Sequence, residues 1–264
     1  MFDIRSVLFL PASNPRAIAK ARDSRADLVV LDLEDAVRPE DKNEAREAAF
    51  DAVTSNWPMP VAIRVNGVGT EWHSLDCDGA ARSNADAIVL PRAASAHLAK
   101  DVREAVGKPL LAMIETAAGV LNASQIAHEV AALIAGTNDL AADLRLPADA
   151  GRAPLQTALQ KIILSARAAG IAAFDGVFNR LTDAEGFAAE AKEGRRLGFD
   201  GKSLIHPDQI DSCNQAFGPS EGEVERARRL VDAFSGGAER FEDQMIERMH
   251  VEAARRVLER AGQS

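Results

Sequence analysis

Eight short runs of β-branched and aliphatic residues, alternating with longer helix-forming stretches, predict an α/β chain: a (β/α)8 TIM barrel with a C-terminal helical extension. The candidate strands are residues 6–10, 28–33, 61–65, 87–90, 110–114, 131–135, 171–174 and 202–205. The spacers are long enough for the helical crossovers that parallel neighbours require. Eight such units within about 205 residues suit a closed barrel better than an open sheet. No G-x-G-x-x-G follows the first strand, which weakens a dinucleotide-binding alternative. The length of 264 residues, by itself, fits either one large barrel domain or two smaller domains.

The helices have their own signals. Asn14-Pro15 offers a cap followed by proline at the first helical position, and Ser95 caps a run ending near Val106. Residues 39–53 and 184–197 are rich in Glu, Ala and Lys or Arg. Gly67-Val68-Gly69 reads as a flexible loop after the third strand. Residues 207–217 read as the eighth helix, closing a barrel domain at 1–217. Gly218-Pro219-Ser220 breaks the chain and opens an extension at 218–264. Ser220 and Glu223 have capping-box spacing and lead a helix to about Phe234. After Ser235-Gly236-Gly237 a final helix is expected over roughly 243–261, with Met245, Ile246, Met249, Ala253, Val257 and Leu258 at helical spacing. A neighbouring subunit or the chain's own barrel could bury these faces.

Composition narrows the function. Forty acidic against 31 basic residues give a net charge of −9, which argues against general nucleic-acid binding. Cys77 and Cys213 lie 136 residues apart with no partner at zinc spacing, so neither disulfides nor a zinc module organise the fold. Asp3 and Arg5 interrupt the N-terminal apolar run, and no stretch approaches the roughly 18 apolar residues of a membrane span. A cytoplasmic protein is expected.

Barrel chemistry sits at the C-terminal ends of the strands. Here those ends read Pro11, Asp32-Leu33-Glu34-Asp35, Arg64 with Asn66, Pro91-Arg92, Glu115, Gly136-Thr137-Asn138-Asp139, Asp175 and His206. Strand alternation points Arg64 into the barrel mouth, where a cation needs a partner or an anionic ligand. A salt bridge to Asp32 or Glu34, or recognition of a carboxylate, would each satisfy it. Glu115 and Asp139 close neighbouring strands, and two hard oxygen ligands fit Mg²⁺ completed by water and substrate. The structural alternative has Asp139 capping a helix from Leu140 and Glu115 pairing with Arg64. His206 is either a packing, backbone-bonded residue or a site residue.

The motifs RSVLFLPASNPR (5–16), LDLEDAVRPEDK (31–42), IRVNGVGTEWH (63–73), VLPR (89–92), IETAAGVLNA (114–123), GTNDLAADL (136–144), FDGVF (174–178) and GFDGKSLIHPDQI (198–210) make the chain recognisable. Together they resemble the citrate lyase β-subunit-like family of the HpcH/HpaI aldolase superfamily, which includes citryl-CoA and malyl-CoA lyases. The resemblance implies a TIM barrel, Glu115 and Asp139 as Mg²⁺ ligands, and Arg64 as the substrate-binding arginine. It also implies homotrimers or hexamers in which the C-terminal segment covers a neighbour's site. The chain departs from the family pattern at Ala12, Ala118, Asn138 and Asn179-Arg180, and at the C-terminal motif Met245-Ile246-Glu247-Arg248-Met249. There Glu247 replaces the family's aspartate, keeping the carboxylate one methylene further out.

The resemblance therefore implies a Mg²⁺-dependent carbon–carbon lyase acting on a 3-hydroxyacyl thioester of CoA or an acyl carrier. In that reading Arg64 and Glu247 are catalytic, and Arg64, Glu115, His206 and Arg16 bind substrate. Arg16, Arg38 and Lys42 would meet CoA phosphates, or be solvated surface charges. The rival readings are a CoA-independent aldolase for 4-hydroxy-2-oxo acids, a malate synthase-like or thioesterase activity, and an assembly subunit of a lyase complex.

Overall fold

The strand runs are apolar at nearly every position because both faces of the sheet are covered. In the computed structural model, which describes residues 3–262, eight parallel strands close in sequence order. They are β1 (Ser6–Pro11), β2 (Leu28–Asp32), β3 (Val61–Arg64), β4 (Ala87–Leu90), β5 (Leu110–Ile114), β6 (Ala132–Ala135), β7 (Ala172–Asp175) and β8 (Gly201–Leu204). Each lies within one residue, at either end, of the run read from the sequence. β1 pairs with both β2 and β8, which completes the barrel.

Alternate residues fill the interior: Val7 and Phe9, Leu28 and Val30, Ala62, Ala87 and Val89, Leu111 and Met113, Ala132 and Ile134, Ala172 and Phe174. The opposite parity faces the helices α1 (Pro15–Arg22), α2 (Lys42–Ala52), α3 (His73–Arg82), α4 (Ala96–Val106), α5 (Ala117–Ile126), α6 (Thr137–Asp143), α7 (Gln156–Ala169), α8 (Ala184–Leu197) and α9 (Ile210–Phe217). Asn14 caps α1 through Ala17 N–H at 3.1 Å, and Ser95 caps α4 through Leu98 N–H at 3.2 Å. Two helices, α6 and α7, occupy the β6–β7 connection. α6 begins at Thr137 rather than Leu140, so Asp139 stands in its first turn and does not cap it.

Parity also corrects one rim residue. Phe174 points inward, so Asp175 points out between the sheet and the helices and is fully buried there. Its carboxylate meets Arg152 Nη2 at 2.7 Å and Lys202 Nζ at 3.1 Å; Lys202 also reaches Glu190 Oε1 at 2.8 Å and Gly176 O at 2.5 Å. A second buried set joins α3 to the end of β3. Asp76 accepts from Arg46 Nε at 2.5 Å and from the backbone and side-chain nitrogens of Asn66.

The chain divides into two compact units at Cys213/Asn214. In the second, α10 (Glu221–Ala233) follows the Ser220–Glu223 capping box. The expected single helix over 243–261 is replaced by a hairpin, β9 (Glu239–Phe241) and β10 (Gln244–Ile246), and a shorter α11 (Arg248–Arg260). The two-residue turn Glu242-Asp243 lacks the usual Asn-Gly signal, and Glu242 adopts φ +56°. Arg226 Nε and Arg229 Nη2 hold its carboxylate at 3.3 and 3.0 Å. Ala227, Leu230, Phe241, Ile246, Val251 and Ala254 bury one another, so this unit has a small core of its own. Met245 and Met249, expected on the buried face, are instead 67% and 61% exposed. Among the described residues no helix is long and apolar enough to cross a membrane.

The Asp175 network makes a direct prediction. Removing one partner of a buried ion pair costs about 3–5 kcal/mol, because the other charge stays buried. Lys202→Met is expected to lose that much stability in urea denaturation. A loss below about 1 kcal/mol would mean that Arg152 and the Gly176 N–H satisfy Asp175 without Lys202.

Candidate active site

The β2–β3 register sets the first contact of the barrel mouth, because Asp32 and Arg64 are Cα partners with the same inward parity. Arg64 forks onto Asp32 through Nε and Nη2, both at 2.6 Å, and its Nη1 lies 2.8 Å from Glu34 Oε2. Asp32 also accepts from the N–H groups of Glu34 and Ala36 at 2.9 and 3.1 Å. Arg64 is 8% exposed; burial alone would favour loss of its proton, but Asp32 and Glu34 outweigh that and hold it charged. The salt-bridge reading of Arg64 is therefore realised, and the residue lines a cavity of about 360 Å³ at the same time.

Glu115 follows β5 with the parity of Met113 and also enters this cavity. Its Oε1 accepts the Arg92 N–H at 2.6 Å, while its Oε2 is buried with no hydrogen-bond partner. It does not pair with Arg64. Arg92 adopts φ +50°, a left-handed conformation that costs a non-glycine residue about 1–2 kcal/mol. That strain aims its N–H at Glu115, while its Nη1 lies 3.7 Å from Asp139 Oδ1. Gly136 is obligatory beside them, since a Cβ there would run into the Glu115 side chain. Burial pushes the Glu115 carboxyl up to about 7, Asp139 and Asp35 adding to the rise against the Arg92 hydrogen bond and Arg64. Burial likewise pushes Glu34 up to about 8 against the pull of Arg64.

Two carboxylates thus share one cavity, one of them carrying a buried oxygen whose lone pairs meet no donor. Hard oxygen donors of this kind fit Mg²⁺, which keeps several waters and takes only one or two carboxylates from protein. Among the described residues no set of three or more His, Cys, Asp or Glu is grouped to hold a metal, so water and substrate would complete the shell.

The other expected site residues are placed unequally. Arg16 is exposed and lines an adjoining cavity of about 690 Å³ with Arg38, Asp41 and Glu44; the two cavities share Pro11 and Ala36. Arg38 is exposed and paired with Asp41 at 2.9 Å. Lys42 is not a surface cation at all. It is 6% exposed and donates at 2.7 Å to Leu33 O, Glu34 O and Asn66 Oδ1, fixing the loop after β2. His206 stands at the end of β8, where its Nδ1 accepts the Asp208 N–H at 3.2 Å, and it is absent from the residues lining either cavity. Glu247 belongs to the second unit, at the N-terminus of α11, and its N–H donates to His250 Nδ1 at 3.0 Å. Sequence reasoning missed the Asn138–Asn179 amide pair and the Arg92 backbone contact. The departures at Asn138 and Asn179 were the available signal for the pair.

Comparison with known proteins agrees with the barrel fold. The family described as HpcH/HpaI aldolase/citrate lyase matches residues 5–207. A (3S)-malyl-CoA thioesterase of Cereibacter sphaeroides (strain ATCC 17025 / ATH 2.4.3) is 40% identical, the alignment covering 97% of this chain and 94% of that protein. The citrate lyase subunit beta of Escherichia coli (strain K12) is 33% identical over 97% of this chain and 93% of its own. The crystal structure of protein CitE from Mycobacterium tuberculosis, in complex with magnesium, acetoacetate and coenzyme A, superposes with a TM-score of 0.88 at 33% identity, covering 99% of this chain and all of that one.

The raised Glu115 carboxyl has a consequence for stability. Its folded-state value of about 7 lies above the ordinary 4.5, so stability present below pH 4.5 is lost as pH rises through 7. Without divalent metal, Glu115→Gln is expected to exceed the wild type by roughly 3 kcal/mol at pH 8, and by little at pH 4.5. Urea denaturation in EDTA at both pH values measures this. An equal difference at both would place its origin outside Glu115 ionisation.

Proposed function

Because the chain belongs to the HpcH/HpaI aldolase/citrate lyase family, we propose that it is a Mg²⁺-dependent carbon–carbon lyase. Its substrate would be a 3-hydroxyacyl-CoA of the malyl-CoA or citryl-CoA type, and its products acetyl-CoA and a 2-oxo acid. The observation that carries this reading is the unpartnered, buried Oε2 of Glu115 in one cavity with Asp139 and Arg64. The magnesium, acetoacetate and coenzyme A bound by the Mycobacterium tuberculosis protein support the same ligand classes for this chain.

Glu115 and Asp139 would hold the ion. When bound, Mg²⁺ supplies Lewis acidity toward the substrate's hydroxyl and carboxylate oxygens. Arg64 has five N–H groups; the Asp32 fork takes two and Nη1 faces Glu34 Oε2 and Met113 Sδ, which leaves one N–H on Nη2 for a substrate carboxylate. Asp32 and Glu34 keep that guanidinium in place and charged. Phe9, Met113 and Val177 supply apolar walls that limit water around the reacting atoms. Arg16 and Arg38, in the adjoining cavity, are the candidates for the phosphates of CoA. His206, outside the lining of both cavities, would bind substrate through Nε2, and Glu247 of a neighbouring subunit would return a proton to the acyl carbon. A homotrimer or hexamer is the proposed assembly.

Hydrolysis of the thioester is the second reading, favoured by the 40% identity to (3S)-malyl-CoA thioesterases. One assay separates the two: acetyl-CoA, 2-oxo acid and free CoA are followed from malyl-CoA and citryl-CoA, with Mg²⁺ or EDTA. Wild type is expected to release acetyl-CoA and 2-oxo acid in equal amounts, and to stop in EDTA. Glu115→Ala and Arg64→Lys should each lower kcat by about 100-fold or more. Free CoA without 2-oxo acid would select hydrolysis. No turnover by folded protein would remove both readings and direct attention to CoA-free 4-hydroxy-2-oxo acids.

A further inference from the structure

Asn138, just before Asp139, and Asn179, in the loop after β7, hydrogen-bond each other in both directions. Asn179 Nδ2 donates to Asn138 Oδ1 at 2.7 Å, and Asn138 Nδ2 donates to Asn179 Oδ1 at 3.3 Å. Each side-chain amide has two N–H groups, so the reciprocal pair leaves one N–H spare on each residue. Both residues are exposed and both line the cavity that holds Glu115 and Asp139.

The pair sits on a rigid base. Lys202 Nζ holds Gly176 O at 2.5 Å, and Gln209 Nε2 holds Phe178 O at 3.1 Å, so carbonyls on both sides of Val177 are pinned. Gly176 lets Thr137 pack where a Cβ would collide with it, which brings together the two segments that carry Asn138 and Asn179. Amides fixed in this way need little reorganisation when charge develops nearby, the condition under which a neutral donor stabilises an oxyanion well. Of the other lining side chains, Asp32, Asp35, Glu115 and Asp139 are acids, Arg64 is committed largely to Asp32 and Glu34, and Thr137 and Ser203 offer one hydroxyl each, whereas the amide pair offers two N–H groups held by one reciprocal contact.

We propose that the Asn138–Asn179 amide pair donates to the thioester carbonyl oxygen of the substrate and stabilises the charge that oxygen gains during cleavage. The proposal rests on the lyase reading and adds two catalytic residues to it. In the reaction the hydroxyl loses its proton to water and its C–O bond becomes C=O. The bond to the acyl carbon breaks, its electron pair passes to that carbon and spreads onto the thioester oxygen, and a proton then adds to the carbon. One 3-hydroxyacyl thioester gives one 2-oxo acid and one shorter thioester, with no change in overall oxidation state.

The test pairs a residue change with a ligand-atom change. Acetyl-CoA and S-ethyl-CoA differ only in that carbonyl. By calorimetry the wild type is expected to bind acetyl-CoA about fivefold more tightly, and Asn138→Ala and Asn179→Ala should lose that preference. On malyl-CoA each variant should lose about 100-fold in kcat and raise KM by no more than about fivefold, while Mg²⁺ affinity and the circular-dichroism melting curve change little. An intact acetyl preference and kcat in both variants, beside an active wild type, overturns the donor role and leaves the lyase reading standing. Weakened Mg²⁺ binding with an intact acetyl preference also overturns it, assigning the pair to the placement of Asp139. A wild type that neither cleaves malyl-CoA nor binds acetyl-CoA removes the lyase reading, and this proposal with it.

Discussion

The fork between Arg64 and Asp32 is the interaction on which the barrel mouth depends. Neither charge could be buried alone at the top of a closed barrel. Together they are nearly shielded from solvent, and Asp32 draws the following loop in through the N–H groups of Glu34 and Ala36. Lys42 completes that loop from the opposite side by binding the carbonyls of Leu33 and Glu34. Glu34 is thereby held against Arg64, and Asp35 is left at the cavity edge. A cation on one strand thus organises the preceding strand's loop before any ligand is considered.

The cavity that results holds more acid than base. Glu115 and Glu34 are both raised well above the ordinary carboxylate range, chiefly by burial. Such a surplus is costly in the protein alone and favourable once a divalent cation enters, which is why the unpartnered lone pairs on Glu115 Oε2 are informative. The backbone contributes as much as the side chains. Arg92 accepts a left-handed φ to present its N–H to Glu115, and Gly136 forgoes a side chain to leave the carboxylate room. Local strain and a missing Cβ converge on one carboxylate, as functional sites often require.

The C-terminal unit follows another logic. α10, α11 and the short hairpin bury Leu230, Phe241, Ile246 and Val251 on one another, while Met245 and Met249 of the same segment stay exposed. The hairpin was hidden because Glu-Asp-Gln-Met-Ile-Glu reads as helix by composition. Two arginines on α10 hold the left-handed Glu242 of its turn, a contact between residues 13 and 16 positions apart. Local propensity carries no trace of it.

What the amino-acid sequence determined by itself is periodic or carried by motifs. Short apolar runs set between helical stretches located all eight barrel strands to within a residue, and the caps at Asn14, Ser95 and Ser220 marked helix starts, because these signals act over a few neighbouring positions. The motifs, as a resemblance, also pointed to Arg64, Glu115 and Asp139, which the fold does bring into one cavity. Tertiary structure alone decided how each charge is used. It committed Lys42 to a loop and Asp175 to a network behind the sheet, gave His206 Nδ1 a capping role, and paired Asn138 with Asn179. Each outcome depends on parity, register and the approach of distant segments, and a charged or amide side chain does not disclose in sequence which distant partner it will meet.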